Sequence, residues 1–290
     1  MSFLSYLVTG ISLGSIYALI ALGYTMVYGI AKMLNFAHGD VIMIGGYMVF
    51  VAVSTLHFPI WISIIIGIAV CTVLGVLIEK IAYKPLRSAS PLTVLITAIG
   101  VSYFLQNLAL IIFGSAAKNF KSVVPKFSVG REINITGETI VTIVVTLILM
   151  ICLILFVNHT KAGKAMLAVS EDKGAAQLMG INVNKTISLT FAIGSALAAV
   201  ASILLCSTYP QISPYTGAMP GIKAFTAAVF GGIGSIPGAM IGGVLLGVIE
   251  SLSKAYISSQ MSDAIVFAVL IIVLLVKPTG LMGKKINEKV

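Results

Sequence analysis

Residues 159–186 read HTKAGKAMLAVSEDKGAAQLMGINVNKT and form a polar stretch in a chain that is otherwise mostly apolar. An apolar run precedes it at 142–157 and another follows at 187–205. Each approaches the roughly 20 residues with which a helix crosses a bilayer. Within the stretch, residues 164–179 have the composition of a short helix, and Gly180 is placed to end it. The pattern predicts two membrane-spanning helices joined by a loop, 159–186, that carries a compact helix.

The composition of the whole chain points to a membrane protein. Of its 290 residues, 59% are hydrophobic and 9% are charged, and the mean hydropathy is +1.10. A soluble domain carries about 25% charged residues. The 18 basic residues against 9 acidic ones fit lysines and arginines in cytoplasmic loops better than nucleic-acid binding. The sequence therefore predicts an all-α, polytopic integral membrane protein that forms one domain over residues 1–290.

The apolar runs and the polar breaks between them give about nine crossings, and eight to ten helices fit the chain. If the loop 159–186 is cytoplasmic, alternation places the N-terminus outside and the C-terminus in the cytoplasm. Most lysines and arginines then fall in cytoplasmic loops, as the positive-inside rule requires. The outer loop at 114–138 has apolar residues at alternating positions, which favours a small hairpin there; these are Phe127, Val129, Ile133 and Ile135.

Two short breaks predict discontinuous or re-entrant segments. KMLNFAHGD at 32–40 interrupts the first two apolar runs, and a Gly- and Pro-rich region at 216–238 contains the tight turn IGSIPG. Non-helical backbone at membrane depth must be buried in protein or line a cavity, and such breaks mark transport paths. The predicted path or hinge residues are Asn35, His38, Gly39, Asp40, Lys223, Gly234 and Ser235.

Simpler roles for these polar residues stay open. His38 and Asp40 could be ordinary interfacial residues, and a metal site is disfavoured because no third ligand lies near them in the sequence. Lys223 follows the turn Pro220–Gly221 on the predicted outer side. Its ammonium could reach the interface while its stem stays in the apolar zone. Alternatively, it could lie at the outer mouth and face a substrate carboxylate or an acid on a binding protein.

Residues 174–180, GAAQLMG, resemble the EAA-x-x-x-G loop with which bacterial ABC importer permeases dock on their ATP-binding subunit. Gly174 stands where that pattern has Glu, and Glu171 and Asp172 supply acid one turn earlier. The longer stretches SEDKGAAQLMGINVN (170–184), LNFAHGDVIMIGGY (34–47) and FGGIGSIPGAMIGGVLLGVIE (230–250) are similar to the permease family of branched-chain amino acid importers.

This resemblance implies a permease subunit in the bacterial inner membrane that transports leucine, isoleucine and valine or close relatives. It also implies a second permease subunit, two ATP-binding subunits that carry ATP and magnesium, and an extracytoplasmic substrate-binding protein. No cofactor is expected on this chain itself. The residues expected at the contact with the ATP-binding subunit are Glu171, Asp172, Ala175, Ala176, Gly180 and Asn182.

The residues themselves also narrow the classes of function. The chain has no G-x-x-x-x-G-K-[ST] phosphate loop, so ATP must be hydrolysed elsewhere. An ion- or proton-coupled secondary transporter is the alternative, but the acids near apolar runs fall at their ends; these are Asp40, Glu79, Glu250 and Asp263. An enzyme is disfavoured because His38, His57 and His159 lie in separate segments.

Overall fold

The computed structural model describes residues 3–124, 128–129 and 135–283. Most of them are helical, because a helix satisfies its own backbone hydrogen bonds where lipid offers no partner. The helices are α1 Phe3–Ala31, α2 His38–Phe50, α3 Ile60–Ile78, α4 Pro91–Phe113, α5 Gly137–His159, α6 Lys161–Glu171, α7 Lys173–Leu178, α8 Val183–Thr208, α9 Ala218–Gly231, α10 Ile236–Tyr256 and α11 Ser262–Val276.

Seven of these helical segments are long and apolar enough to span a bilayer. α2 reaches this length through a π-helical turn at Val51–Thr55, and α3 continues through a π-helical turn at Glu79–Tyr83 and a 3-10 turn at Lys84–Leu86. α9 and α11 are shorter, with 14 and 15 residues. The described residues thus contain seven helices of spanning length and one shorter apolar helix, α11, beside the short α9, which confirms the predicted all-α, polytopic membrane fold.

Two very short antiparallel strand pairs complete the described structure. β1 (Lys118–Asn119) pairs with β4 (Gln211–Ile212), and β2 (Ser128–Val129) pairs with β3 (Ile135–Thr136). The second pair confirms the predicted hairpin, although Phe127 and Ile133 lie outside the described residues. The first pair joins the α4–α5 loop to the α8–α9 connection at one end of the bundle.

The centre of the bundle depends on glycines that let α1 and α10 approach closely. A Cβ atom on Gly10 would lie 2.8 Å from the Cα of Val248, and one on Gly14 would lie 2.6 Å from the Cα of Val244. Close backbone approach is how helices gain packing energy in lipid, where no hydrophobic force drives them together. In the sequence, Gly10 and Gly14 form a GxxxG pair, and this spacing predicts a packing role, which is confirmed; Gly243 and Gly247 of α10 have the same spacing.

The helices divide into central and peripheral ones. Buried residues make up 61% of the apolar window of α1 and 72% of that of α8, but only 22% of that of α4. In α3 and α5, too, only a minority of the residues are buried. Peripheral helices of this composition face lipid or a neighbouring subunit, whereas α1 and α8 form the interior.

Several connections lie together at one end of the bundle, which we call the docking end; it comprises residues 32–37, 84–90, 160–182, 232–235 and 277–283. The Lys173 ammonium donates to the carbonyl of Ala31 over 2.9 Å. The amides of Leu281 and Met282 donate to the carbonyls of Phe230 and Gly231. The loops predicted to share one side of the membrane are therefore neighbours in space.

Candidate functional site

The polar loop 159–186 contains two helices rather than the single helix predicted for residues 164–179. Asp172 separates them: it leaves helical geometry after α6, and its Oδ1 accepts hydrogen bonds from the amides of Gly174 and Ala175 at 2.7 and 3.0 Å. An aspartate that caps amides in this way starts a new helix. The expectation that Gly180 ends the helix is confirmed, since Gly180 has a φ of 82°.

The tip of α7 exposes apolar side chains at a polar end of the molecule. Leu178 and Met179 are 91% and 82% exposed. Five of the six residues predicted to contact an ATP-binding subunit are also exposed; these are Glu171, Asp172, Ala175, Gly180 and Asn182. Ala176 is the exception. The expectation that its side chain faces another protein is wrong, because it is buried against its own chain.

Lys173 fixes α7 to the end of α1. Its ammonium donates to the carbonyl of Ala31, which would otherwise be unpaired at the helix C-terminus. Burial lowers the pKa of Lys173, and the positive charges of Arg87 and Lys32 lower it further. No local sequence pattern indicates this contact, because it joins residues 142 positions apart.

A polar network connects the start of α8 with the break before α2. The Arg87 guanidinium donates to Asn184 and forms a salt bridge with Glu79, which is completely buried. Glu79 Oε2 also accepts from Ser188 over 2.6 Å. Within the π-helical turn that Glu79 begins, the Tyr83 hydroxyl donates to Asn35 Oδ1 over 2.9 Å. These contacts hold α3, α8 and the break in one arrangement.

The two predicted breaks meet inside the bundle. A Cβ atom on Gly39 would lie 2.7 Å from the carbonyl oxygen of Gly217 and 3.7 Å from the Cα of Gly221. α2 therefore starts beside the start of α9, and only glycines allow this approach. Two helices that begin next to each other within the bundle are typical of transporter binding regions.

The polar residues of the first break are interior residues. His38 and Asp40 are 1% and 2% exposed, so the interfacial alternative is wrong for both. Asn35 is 4% exposed and contacts Tyr83. His38 packs edge-on against Tyr24, with ring centroids 4.7 Å apart. Asp40 Oδ1 accepts a hydrogen bond from Gln106 Nε2 over 2.9 Å.

A cavity of about 280 Å³ opens where the two breaks meet. Its walls come from α1, the first break, α4 and the start of α9. The lining residues are Tyr24, Phe36, Gly39, Asp40, Ile99, Ser102, Tyr103, Gln106, Ala218, Gly221 and Ile222. Gly39 and Asp40 are thus the predicted path residues that reach the cavity, whereas Asn35 and His38 lie behind it. Gln106 and Ser102 come from α4, where no sequence break drew attention to them.

The second predicted group lies at the docking end, apart from the cavity. Gly234 has a φ of 94° and packs against Gly29, and Ser235 Oγ accepts from the amide of Gly238 at the start of α10. The expected helix-end position of Ser235 is confirmed. Gly234 and Ser235 form the turn between α9 and α10. The region 216–238, predicted as one break, therefore contributes both to the cavity, at the start of α9, and to the docking end.

Both expectations for the Lys223 side chain are wrong. Its ammonium lies 2.8 Å from Glu250 Oε1 and 2.7 Å from Asp263 Oδ1, and the residue is only 6% exposed. It therefore neither reaches the membrane interface nor faces an acid of another molecule. Carboxylates of its own chain neutralise it because a buried ammonium needs a partner.

Comparison with known proteins agrees with this architecture. Residues 6–274 match the family described as branched-chain amino acid transport system / permease component. The permease protein LivH of the high-affinity branched-chain amino acid transport system of Escherichia coli is 47% identical, over 99% of this chain and 98% of that protein. The corresponding protein BraD of Pseudomonas aeruginosa is 46% identical over the same shares of the two chains.

An archaeal relative extends the comparison. The probable branched-chain amino acid transport permease protein LivH of Methanocaldococcus jannaschii is 31% identical, over 91% of this chain and 88% of that protein. The family match and these alignments cover the polar loop 159–186, both breaks and the residues that line the cavity. The chain therefore belongs to the family of branched-chain amino acid transport permeases.

Proposed function

We propose that the chain is the transmembrane permease subunit of an ABC importer that translocates branched-chain amino acids. The observation that carries this proposal is the exposed apolar tip of α7, Leu178 and Met179, on a polar loop between two membrane-spanning helices. Large apolar side chains exposed beside polar residues mark a surface that another protein covers. Membership of a family of transport-system permeases supports an ATP-binding subunit as that protein.

The complete transporter in this proposal has several other subunits. Two ATP-binding subunits hold ATP and magnesium, and an extracytoplasmic binding protein delivers the substrate. A second permease, either a homologue or another copy of this chain, covers the side on which the cavity opens. The complex lies in the bacterial inner membrane, with the docking end and the C-terminus in the cytoplasm. The lysines and arginines that the described residues place at the docking end accord with the positive-inside rule; they are Lys32, Lys84, Arg87, Lys161, Lys164, Lys173 and Lys277.

Transport would proceed by alternating access between two states of the permease. The ATP-binding subunits favour one state and the loaded binding protein favours the other, and each can shift the equilibrium only by its difference in affinity for the two states. The contact of Lys173 with Ala31 connects α7 to α1, and the contact of Arg87 with Asn184 connects the first turn of α8, which follows α7, to the end of α3. Movement of α7 would therefore reach α1, α3 and α8.

A secondary transporter driven by an ion gradient is the competing proposal. Such carriers use buried ionisable groups as relays. Here Glu79 is neutralised by Arg87, and Glu250 by Lys223 and Lys254. Acids held in salt bridges with lysine and arginine make poor proton relays, which leaves Asp40 as the one buried acid of the described residues without such a partner. The polar loop 159–186, with its exposed apolar tip, has no purpose in a carrier that works without a motor. Both observations favour the importer.

Leu178→Glu together with Met179→Glu tests the proposal. We expect the double variant to insert normally but to lose binding of the ATP-binding subunit, because two carboxylates would be placed in an apolar contact. ATP-driven uptake of radiolabelled leucine by the reconstituted importer should fall at least tenfold, since central interface residues cost about 2 kcal/mol or more when lost. Co-purification of the ATP-binding subunit gives the second measurement.

Met282→Glu is the matched control for this experiment. Met282 is an apolar residue at the docking end, 47% exposed, and lies outside the polar loop. The control should keep both subunit binding and leucine uptake. Normal uptake by the double variant would contradict the docking role of α7, and an absence of ATP-dependent leucine uptake in the unaltered importer would contradict the proposed function.

A further inference from the structure

The cavity between the two breaks has the size of a site for a small metabolite. Its volume is about 280 Å³, close to the lower end of the roughly 300–1,000 Å³ of small-molecule sites. Both helices that begin there, α2 and α9, are brought together by glycine contacts and not by large side chains. The space is therefore built into the fold at the point where the backbone leaves regular helix.

Asp40 distinguishes this cavity from the other buried acidic sites of the chain. Three acidic side chains are almost completely buried among the described residues: Asp40, Glu79 and Glu250. Glu79 has the guanidinium of Arg87, and Glu250 has two lysine ammonium groups. In the described part of the chain, Asp40 has no salt bridge, and its hydrogen bond comes from the neutral amide of Gln106.

A carboxylate in this position calls for a positive charge from outside the chain. Burial of a carboxylate without an ion pair is unfavourable, so a cation that enters the cavity is favoured there. The described residues that line the cavity include no lysine, arginine or histidine. The negative charge of Asp40 is therefore available to pair with a cationic group of a molecule bound in the cavity.

The remaining walls suit the other parts of a zwitterionic aliphatic molecule. α9 begins at the cavity with Ala218, and the N-terminal end of a helix carries partial positive charge that attracts a carboxylate. Ile99 and Ile222 supply apolar surface on the outer side of the cavity. One small space thus offers a negative group, a positive helix end and an apolar wall.

We propose that this cavity is a substrate site within the permease and that Asp40 binds the α-ammonium group of an aliphatic amino acid. The carboxylate of the substrate lies toward the first turn of α9, and its side chain lies against Ile99 and Ile222. The inference rests on the proposed function and adds to it: the permease itself selects for an ammonium group, in addition to any selection by a binding protein.

Asp40→Asn tests this assignment with little change in shape, because the amide oxygen can still accept from Gln106. The measurement is equilibrium binding of radiolabelled leucine to the purified importer in nanodiscs, without the binding protein. We expect the affinity for leucine to fall roughly tenfold to hundredfold, the loss expected for a charge-assisted hydrogen bond. Isopentylamine, which keeps the ammonium group, should compete with leucine in the unaltered protein and lose this ability in the variant.

Glu138→Gln provides the control, since it makes the same chemical change at the opposite end of the molecule, where Glu138 accepts from Ser122. Its leucine affinity should be unchanged. Equal leucine affinity in Asp40→Asn and the unaltered protein would overturn the assignment, and so would an absence of leucine binding in the unaltered importer while it transports leucine. ATP-driven uptake by the unaltered importer is measured in parallel, because its failure would instead contradict the proposed function.

A second variant decides the matter if Asp40→Asn does not fold. Ser102 lines the cavity, and Ser102→Leu fills part of it without changing any charge. We expect uptake of leucine to fall more than uptake of alanine, which needs less space, by roughly tenfold in the ratio of the two rates. An unchanged ratio would show that transported amino acids do not occupy this space.

Discussion

At the scale of single residues, the ion cluster around Glu250 joins four helices. Glu250 Oε1 accepts from Lys223 and Lys254 at 2.8 and 2.6 Å, and its Oε2 accepts from the Tyr17 hydroxyl at 2.8 Å. Lys223 also reaches Asp263 on α11. Two lysines and two acids give the cluster no net charge. It can therefore be buried in the membrane without leaving an unpaired ion.

Lys223→Met should destabilise the protein by removing one of the two positive charges of this cluster. Breaking a buried ion pair from one side costs about 3–5 kcal/mol when the remaining charge is left unpaired, and we expect a smaller cost here because Glu250 keeps Lys254. We expect a clearly lower Tm of the purified protein in detergent, measured by the fluorescence of a thiol dye or by light scattering.

The control for this prediction is Lys121→Met, which alters an exposed lysine and should leave the Tm unchanged. A further variant, Lys223→Met with Asp263→Asn, should recover part of the lost stability because it restores charge balance. If Lys223→Met melts at the same temperature as the unaltered protein, the ion cluster does not stabilise the fold.

At the scale of helices, the close packing of α1 on α10 is the most demanding contact. A Cβ atom on Gly247 would overlap the backbone of Gly14. Neither helix can yield, since backbone and not the end of a flexible side chain occupies the space. The glycine spacing in the sequence predicted small faces on both helices, but not that these two faces pack against each other.

Gly247→Ala should therefore destabilise the protein although alanine favours helix. Overpacking of a well-packed contact costs about 1–3 kcal/mol, which exceeds the gain of about 1 kcal/mol in helix propensity. Gly100→Ala in α4 is the matched control, because nothing lies within 4 Å of a Cβ atom at that position.

The control should be neutral or slightly more stable than the unaltered protein, and Gly247→Ala should melt lower. Both values come from thermal unfolding of the purified protein followed by circular dichroism. Equal Tm values for the two variants would show that α1 and α10 separate at little cost.

At the scale of the whole molecule, two sets of hydrogen bonds lie between the docking end and the cavity. Lys173 contacts the end of α1, and the Arg87–Glu79 pair connects α8 with the end of α3. Tyr83 then contacts Asn35 in the break, and the next residue, Phe36, already lines the cavity. A shift of the polar loop 159–186 can thus reach the start of α2 through these hydrogen bonds.

Tyr83→Phe should weaken coupling between ATP hydrolysis and transport. The change removes the hydrogen bonds to Asn35 Oδ1 and to the carbonyl of Leu34, at a cost of about 1 kcal/mol in stability. We expect fewer leucine molecules imported per ATP hydrolysed, with ATP hydrolysis itself retained. Reconstituted proteoliposomes allow both rates to be measured on the same sample.

Tyr256→Phe is the control, because Tyr256 is exposed at the opposite end and contacts Tyr6 through its ring, which phenylalanine keeps. It should transport with unchanged stoichiometry. A normal ratio of leucine to ATP in Tyr83→Phe would rule out this route between the docking end and the break.

The sequence predicted the membrane fold, the polar loop 159–186 and both breaks, since each of these depends on local composition. It could not predict that Gly39 meets Gly217, because that contact depends on how α2 and α9 pack. It misplaced Lys223 for a similar reason: the acids that pair with it are on α10 and α11. Gln106 was missed because one amide within an apolar run gives no local signal.

The packing of α1 on α10 also determines when the molecule can be completed during synthesis. Tyr17 and Glu250, which meet across these two helices, are 233 residues apart along the chain. At roughly 5–20 residues per second, α1 leaves the ribosome about 10–50 seconds before its partner helix exists. During this time α1, the first helix to enter the membrane, has no α10 to pack against its glycines. A chain that ends before α10 would never close that face, and the cell would have an unfinished subunit to degrade.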